Sequence, residues 1–160
     1  MQQMVYYKYM EIKKFDKSMI SFFQSISVPS ARIGLFIVFF WFGLLKVIGL
    51  SPASGLVQRL FEQTIPYMHF STFLIGFGLF EMVIGILFLI KGMERIVIPL
   101  LLIHMITTFL PLIFLPSETW SGFLVPTLEG QYIIKNFALI AAAIGIASHL
   151  HPIKNVRDLV

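Results

Sequence analysis

Glu81 is the one formal charge in the apolar stretch FSTFLIGFGLFEMVIGILFLI, from Phe70 to Ile90. A carboxyl group placed that deep in hydrocarbon needs a proton or a cationic partner, so proton exchange is the first chemistry to expect of it. His104 lies in the next stretch, IVIPLLLIHMITTFLPLIFL, with Thr107 and Thr108 one turn further on. Lys46 stands near the end of ARIGLFIVFFWFGLLKVIGL, and Asn136 near the start of YIIKNFALIAAAIGIASHL. Counted from the expected outer ends, Glu81 and His104 are each about 11 residues, or ~16 Å, deep, while Lys46 and Asn136 lie about 4 residues in.

Together these side chains would line a polar track from the outer interface to the centre. Glu81 and His104 have the groups to exchange protons with a bound head group, and Lys46 and Asn136 have the groups to fix its oxygens. Each residue also has a plainer reading. Lys46 can snorkel to headgroups instead of reaching Glu81, and the sequence does not choose between these directions. Glu81 can be a structural hydrogen-bonding group, and His104 or Asn136 can join helices. Thr107 and Thr108 can bond to carbonyls one turn earlier, ahead of Pro111.

The elements that must position these groups follow from composition. The 160 residues are 58% hydrophobic and 12% charged, too apolar to clothe a soluble domain. Ala31–Leu50, Phe70–Ile90, Ile96–Leu115 and Tyr132–Leu150 each make roughly 28–31 Å of helix, close to the hydrocarbon thickness. The expected fold is therefore all-α, an integral membrane four-helix bundle. Gly76, Gly78 and Gly85 in the second stretch, and Ala138, Ala141, Ala142 and Gly145 in the last, favour close helix contacts.

Three segments are expected: 1–30 as an amphipathic interfacial helix, 31–150 as the bundle, and 151–160 as a cytoplasmic tail. Tyr9, Ile12, Phe15, Met19, Phe22, Phe23 and Ile26 recur at three- and four-residue steps with lysines between them, and Pro29 is expected to end that helix. The first connection should hold a short helix capped near Ser54 and stopped by Pro66. The third, PSETWSGFLVPTLEGQ, reads as a breaker-rich loop, either a lid or an interfacial aromatic anchor. Lys91-Gly-Met-Glu94-Arg95 is too short to do more than make its two spans antiparallel neighbours.

Lys8, Lys13, Lys14, Lys17 and Arg32 before the first span, Lys91 and Arg95 in the second connection, and Lys154 and Arg157 in the tail place both termini in the cytoplasm. The net charge of +4 is explained by this topology and does not call for nucleic acid. The first 30 residues lack a signal-peptide core, so the first span is expected to serve as the insertion signal. Without cysteine there is no disulfide, thiol relay or thiolate-held cluster. One deep histidine and one deep carboxylate are too few ligands for a zinc site, since His69, His149 and His151 lie near span ends.

Arg32-Ile-Gly, Phe40-Trp-Phe-Gly-Leu-Leu-Lys46 and Gly78-Leu-Phe-Glu81-Met-Val-Ile-Gly85 resemble the opening of the DoxX-like family of small four-span membrane proteins. Thr107-Thr108-Phe109, Pro126-Thr-Leu-Glu129-Gly130 and Tyr132-Ile-Ile-Lys135-Asn136 are similar to the branch that contains a reactive-chlorine-resistance inner-membrane protein. The resemblance implies a multi-pass protein of the bacterial cytoplasmic membrane and draws Glu129 and Lys135 into the candidate ligand-binding set. Some relatives are described as subunits of a thiosulfate:quinone oxidoreductase and others are linked to oxidative stress. In a chain without cysteine, any redox role would rest on a bound quinone or a partner protein.

The leading functional expectation is a site for a quinone-like or other small amphipathic molecule. Its apolar part would lie among Phe40, Trp41, Phe77 and Met105, with Glu81 and His104 exchanging protons. The alternatives are a non-catalytic scaffold subunit of a membrane complex and a small transporter or proton conductor, the last requiring a homo-oligomer for room.

Overall fold

The computed structural model describes residues 2–65 and 67–152, which excludes Pro66, expected to stop a helix, and Lys154, Arg157 and Asp158 of the tail. Four helical stretches are long and apolar enough to cross a membrane. The first lies within a single helix, α1, Gln2–Val47, of 46 residues, or about 69 Å. Pro29, expected to end an interfacial helix, sits inside it. An interior proline costs roughly 3 kcal/mol, but helical periodicity runs on from both sides. The hydroxyls of Ser25, Ser27 and Ser30 add hydrogen bonds to carbonyls of the preceding turn.

The buried side of α1 carries Leu35, Phe39, Gly43 and Lys46, spaced by four, four and three residues as one helical face requires. It packs mainly on α3, Phe70–Leu89, whose buried residues Leu74, Gly78, Glu81, Ile84, Gly85 and Phe88 form the complementary face. Two glycines set the spacing at this crossing. A Cβ on Gly78 would lie 2.6 Å from the Gly43 carbonyl oxygen, and one on Gly43 would lie 2.5 Å from that of Gly78.

After α3 the chain turns at Gly92, whose φ of +92° a residue with a side chain would adopt only under strain, and enters α4, Glu94–Phe109. Val97, Leu101 and Met105 of α4 join Leu35, Phe39, Ile84 and Phe88 in one apolar cluster. The last long stretch has two parts, α7, Leu128–Ile134, and α8, Asn136–Ala147, the latter adding Ala143 and Ile146 to the cluster.

The connections at the end of the molecule nearest Lys46 are more ordered than breaker-rich sequence suggests. Between α1 and α3 lies α2, Ser54–Thr64, with Ala53 rather than Ser54 at its N-cap. Its one buried residue, Phe61, stacks near Phe70 and Phe73. Beyond α4 come α5, Pro111–Phe114, α6, Pro116–Thr119, and an antiparallel pair of strands, β1, Trp120–Gly122, and β2, Val125–Pro126.

The expected loop is held by side chains. Thr119 donates to the Leu115 carbonyl, Thr127 donates to that of Glu118, and the Trp120 indole donates to that of Leu112 at 3.0 Å. Thr127 also caps α7 by accepting from the Gly130 amide. Arg59 of α2 pairs with Glu118 of α6, joining the two connections.

Candidate functional site

Lys46, Glu81 and His104 form one chain of polar contacts across α1, α3 and α4. Each occupies a buried position on its helix, so the crossings that close the core also bring the three together. The Lys46 ammonium donates to Glu81 Oε2 at 2.6 Å, and Glu81 Oε1 lies 3.3 Å from His104 Nε2. The side chains are 8%, 7% and 4% exposed, so water contributes little to their solvation. Burial of this kind holds only while every charge keeps its partner, because an orphaned ion in a low-dielectric interior is far costlier than a pair.

Aromatic rings enclose the imidazole. The rings of Phe39, Phe77 and Phe80 have centroids 5.4, 5.0 and 6.1 Å from that of His104. Phe77 also lies 5.6 Å from the Lys46 ammonium. It stacks on Phe73 at 5.6 Å, and Phe73 meets Phe61 at 4.8 Å. A ladder of rings thus runs from α2 to the imidazole.

Two oxygens face Nε2 of His104, Glu81 Oε1 at 3.3 Å and Thr108 Oγ1 at 3.4 Å, and a neutral imidazole meets them best with its proton on Nε2. That leaves Nδ1 as a lone-pair acceptor. Among the described residues it is the one buried side-chain nitrogen or oxygen without a hydrogen-bond partner. A positioned base with one nitrogen held by a carboxylate and the other free is the arrangement that accepts a proton from a hydroxyl.

The remaining expected site residues divide. Thr107 and Thr108 donate to the His104 carbonyl at 2.7 and 3.1 Å, the backbone role open to them from sequence, and Thr108 Oγ1 also lies 3.4 Å from Nε2. Trp41 is 60% exposed and turned away from the chain of contacts. Phe40 packs beside Gly85, and Met105 belongs to the apolar cluster. Asn136 is half-buried at the start of α8 and makes none of the triad's contacts. Lys135 is exposed, with its ammonium 4.9 Å from the Tyr132 ring centroid. Glu129 is exposed in the first turn of α7, close enough to Arg59 to favour its charged form.

Sequence reasoning missed a second, largely buried pair at the other end of the apolar stretch of α1, 14 residues before Lys46. Arg32 forms an ion pair with Glu94 and donates to the Phe88 carbonyl at 3.1 Å. The signal was available in Arg32 at the mouth of the first apolar stretch and Glu94 in the first turn of α4, where a carboxylate complements the helix dipole. At that same end a shallow cleft of about 240 Å³ lies between α1 and α8, lined by Ser27, Val28, Ala31, Ala142, Gly145 and His149 among others.

No protein-family model, curated protein or solved structure matches this chain.

Proposed function

We propose that this chain is a DoxX-like integral membrane protein of the bacterial cytoplasmic membrane, and that it binds a quinone-like amphipathic molecule beside His104 and exchanges a proton with it. The observation that carries the reading is the ordered chain Lys46–Glu81–His104 ending at the unpartnered Nδ1. Lys46 donates to Glu81, Glu81 faces and orients the imidazole, and His104 meets the ligand. This order revises the division of labour expected from sequence, in which Lys46 itself fixed a ligand oxygen. The DoxX-like assignment rests on the motifs around Lys46, Glu81 and Lys135-Asn136.

In this reading the bilayer is the solvent of the four apolar helices, and both termini face the cytoplasm. Electrons come from or go to a membrane partner protein, and the chain's own residues handle binding and the proton. The test is mass spectrometry of small molecules retained by the purified protein. Wild type is expected to carry a quinone-class molecule that Glu81→Gln loses, and equal retention by both would count against the site.

A scaffold role draws support from one specific feature. The Arg32–Glu94 and Lys46–Glu81 pairs hold α1 to its neighbours at both ends of its apolar stretch, as a packing module requires. It is favoured if Glu81→Gln lowers thermal stability while ligand content and cellular phenotype stay at the wild-type level.

A further inference from the structure

Resting on that reading, we propose that the site selects the reduced, hydroxyl-bearing form of its ligand: a planar hydroxyaromatic whose O–H donates to His104 Nδ1. The argument is one of donors and acceptors. Glu81 Oε1 and Thr108 Oγ1 both face Nε2, which assigns the imidazole proton to that nitrogen, and Lys46 donates to Oε2 of the same carboxylate. Thr107 and Thr108 donate to the His104 carbonyl. The unpaired atom of this network, His104 Nδ1, is therefore an acceptor. A quinone carbonyl, which also only accepts, would set lone pair against lone pair, whereas a hydroquinone hydroxyl supplies the missing donor.

The surroundings fit a flat ring. His104 is flanked by Phe77 and Phe80, and both phenylalanines are only half-buried. They stand on the side of α3 that meets α4, and α3 packs more sparingly there than against α1. Thr108, also half-buried, borders the same seam from α4. A molecule dissolved in the hydrocarbon reaches the imidazole by moving Phe77 aside, without crossing the connections that hold Arg59 and Glu118. Offset stacking on Phe77 replaces the contact that Phe77 gives up. Proton transfer is then local: the hydroxyl proton passes to Nδ1, leaving an aryloxide and an imidazolium that neutralise each other while Glu81 stays paired with Lys46.

The test uses full-length protein in lipid nanodiscs, titrated with a short-chain hydroquinone, its dimethyl ether and the matching quinone. Hydroquinone is expected to bind about tenfold or more tightly than either of the others, the usual discrimination when a buried polar group is otherwise unpaired. His104→Phe is expected to erase the preference. Since that variant can also fail to fold, the ¹⁵N resonances of His104 in the wild-type protein provide an independent readout. They should show a protonated Nε2 and a bare Nδ1 that shifts when hydroquinone is added. Quinone or ether binding as tightly as hydroquinone, or a proton found on Nδ1 in the free protein, overturns this inference and leaves the ligand site standing. Binding of none of the three overturns the underlying functional reading as well.

Discussion

Arg32 and Lys46 stand 14 residues apart on α1 and each meets a buried carboxylate, Glu94 on α4 and Glu81 on α3. Fourteen residues make about four helical turns, which returns the two cations to nearly the same face. Between them that face is apolar or bare, with Leu35, Phe39 and Gly43 packed into the core. The helix is thus pinned by charge at two heights and by close packing in between.

Breaking either pair from one side should be costly, and removing both partners should not. Lys46→Met is expected to destabilise by roughly 3–5 kcal/mol because it leaves Glu81 buried without its cation, while Lys46→Met with Glu81→Leu should recover most of that loss. Thermal unfolding of the three proteins in one detergent decides the point. If the double variant is as weak as the single one, the pair contributes something beyond mutual neutralisation.

The two pairs should behave independently of each other. A double-mutant cycle within Arg32 and Glu94 should give a coupling of at least ~1 kcal/mol, whereas a cycle between Arg32 and Lys46 should close to within about 0.5 kcal/mol. Strong coupling across α1 would mean that the helix shifts as a body when one end is released.

The glycines offer a contrast between sites of one chemical type. Gly78→Ala places a Cβ 2.6 Å from the Gly43 carbonyl oxygen, and forcing these backbones apart should cost roughly 1–3 kcal/mol. Gly145→Ala, with nothing within 4 Å, should be neutral or stabilise by up to about 1 kcal/mol through helix propensity. Apparent melting temperatures of the two variants should therefore move apart.

Continuity of α1 through Pro29 can be measured as a length. Spin labels at positions 16 and 37 are 21 residues apart, which in an unbroken helix is about 32 Å. A clearly shorter distance in nanodiscs would mean that the helix folds over at Pro29. A matching distance for Pro29→Ala would show that the proline is carried without a bend.

The Arg59–Glu118 bridge should have little effect by comparison. The hydrogen bond to Glu118 is the leading cause that raises the Arg59 pKa above its usual value. A raised cation contributes fully below its unfolded pKa and is lost only as pH rises through the folded one. For an arginine that window lies above about pH 12. Stability attributable to Arg59 should therefore stay flat between roughly pH 7 and 10. Arg59→Gln should scarcely move the melting temperature, as is usual for exposed pairs.

How much of this was legible in the sequence depended on how many readings each residue allowed. Phe70–Ile90 matched α3 to within a residue because nothing in it competes with a helix. Counting set Glu81 and His104 at one level of their helices, and the two side chains lie 3.3 Å apart. The direction of Lys46 did not follow, because its stem reaches either way and only the Gly43–Gly78 crossing settles which carboxylate is near. Glu94 was hidden by its place in a short connection. At Pro29 a strong local signal lost to periodicity on both flanks. The paired strands at Trp120–Pro126 depend on threonine and indole hydrogen bonds that no spacing rule anticipates.

An uninterrupted helix of 46 residues is also a torsion bar. A partner that grips the exposed amphipathic stretch around Phe15 and Phe22 and twists it would load Lys46 about the same axis, with Arg32–Glu94 as the intervening brake. That brake stands between the far end of the rod and Lys46, so the two ion pairs are expected to respond separately.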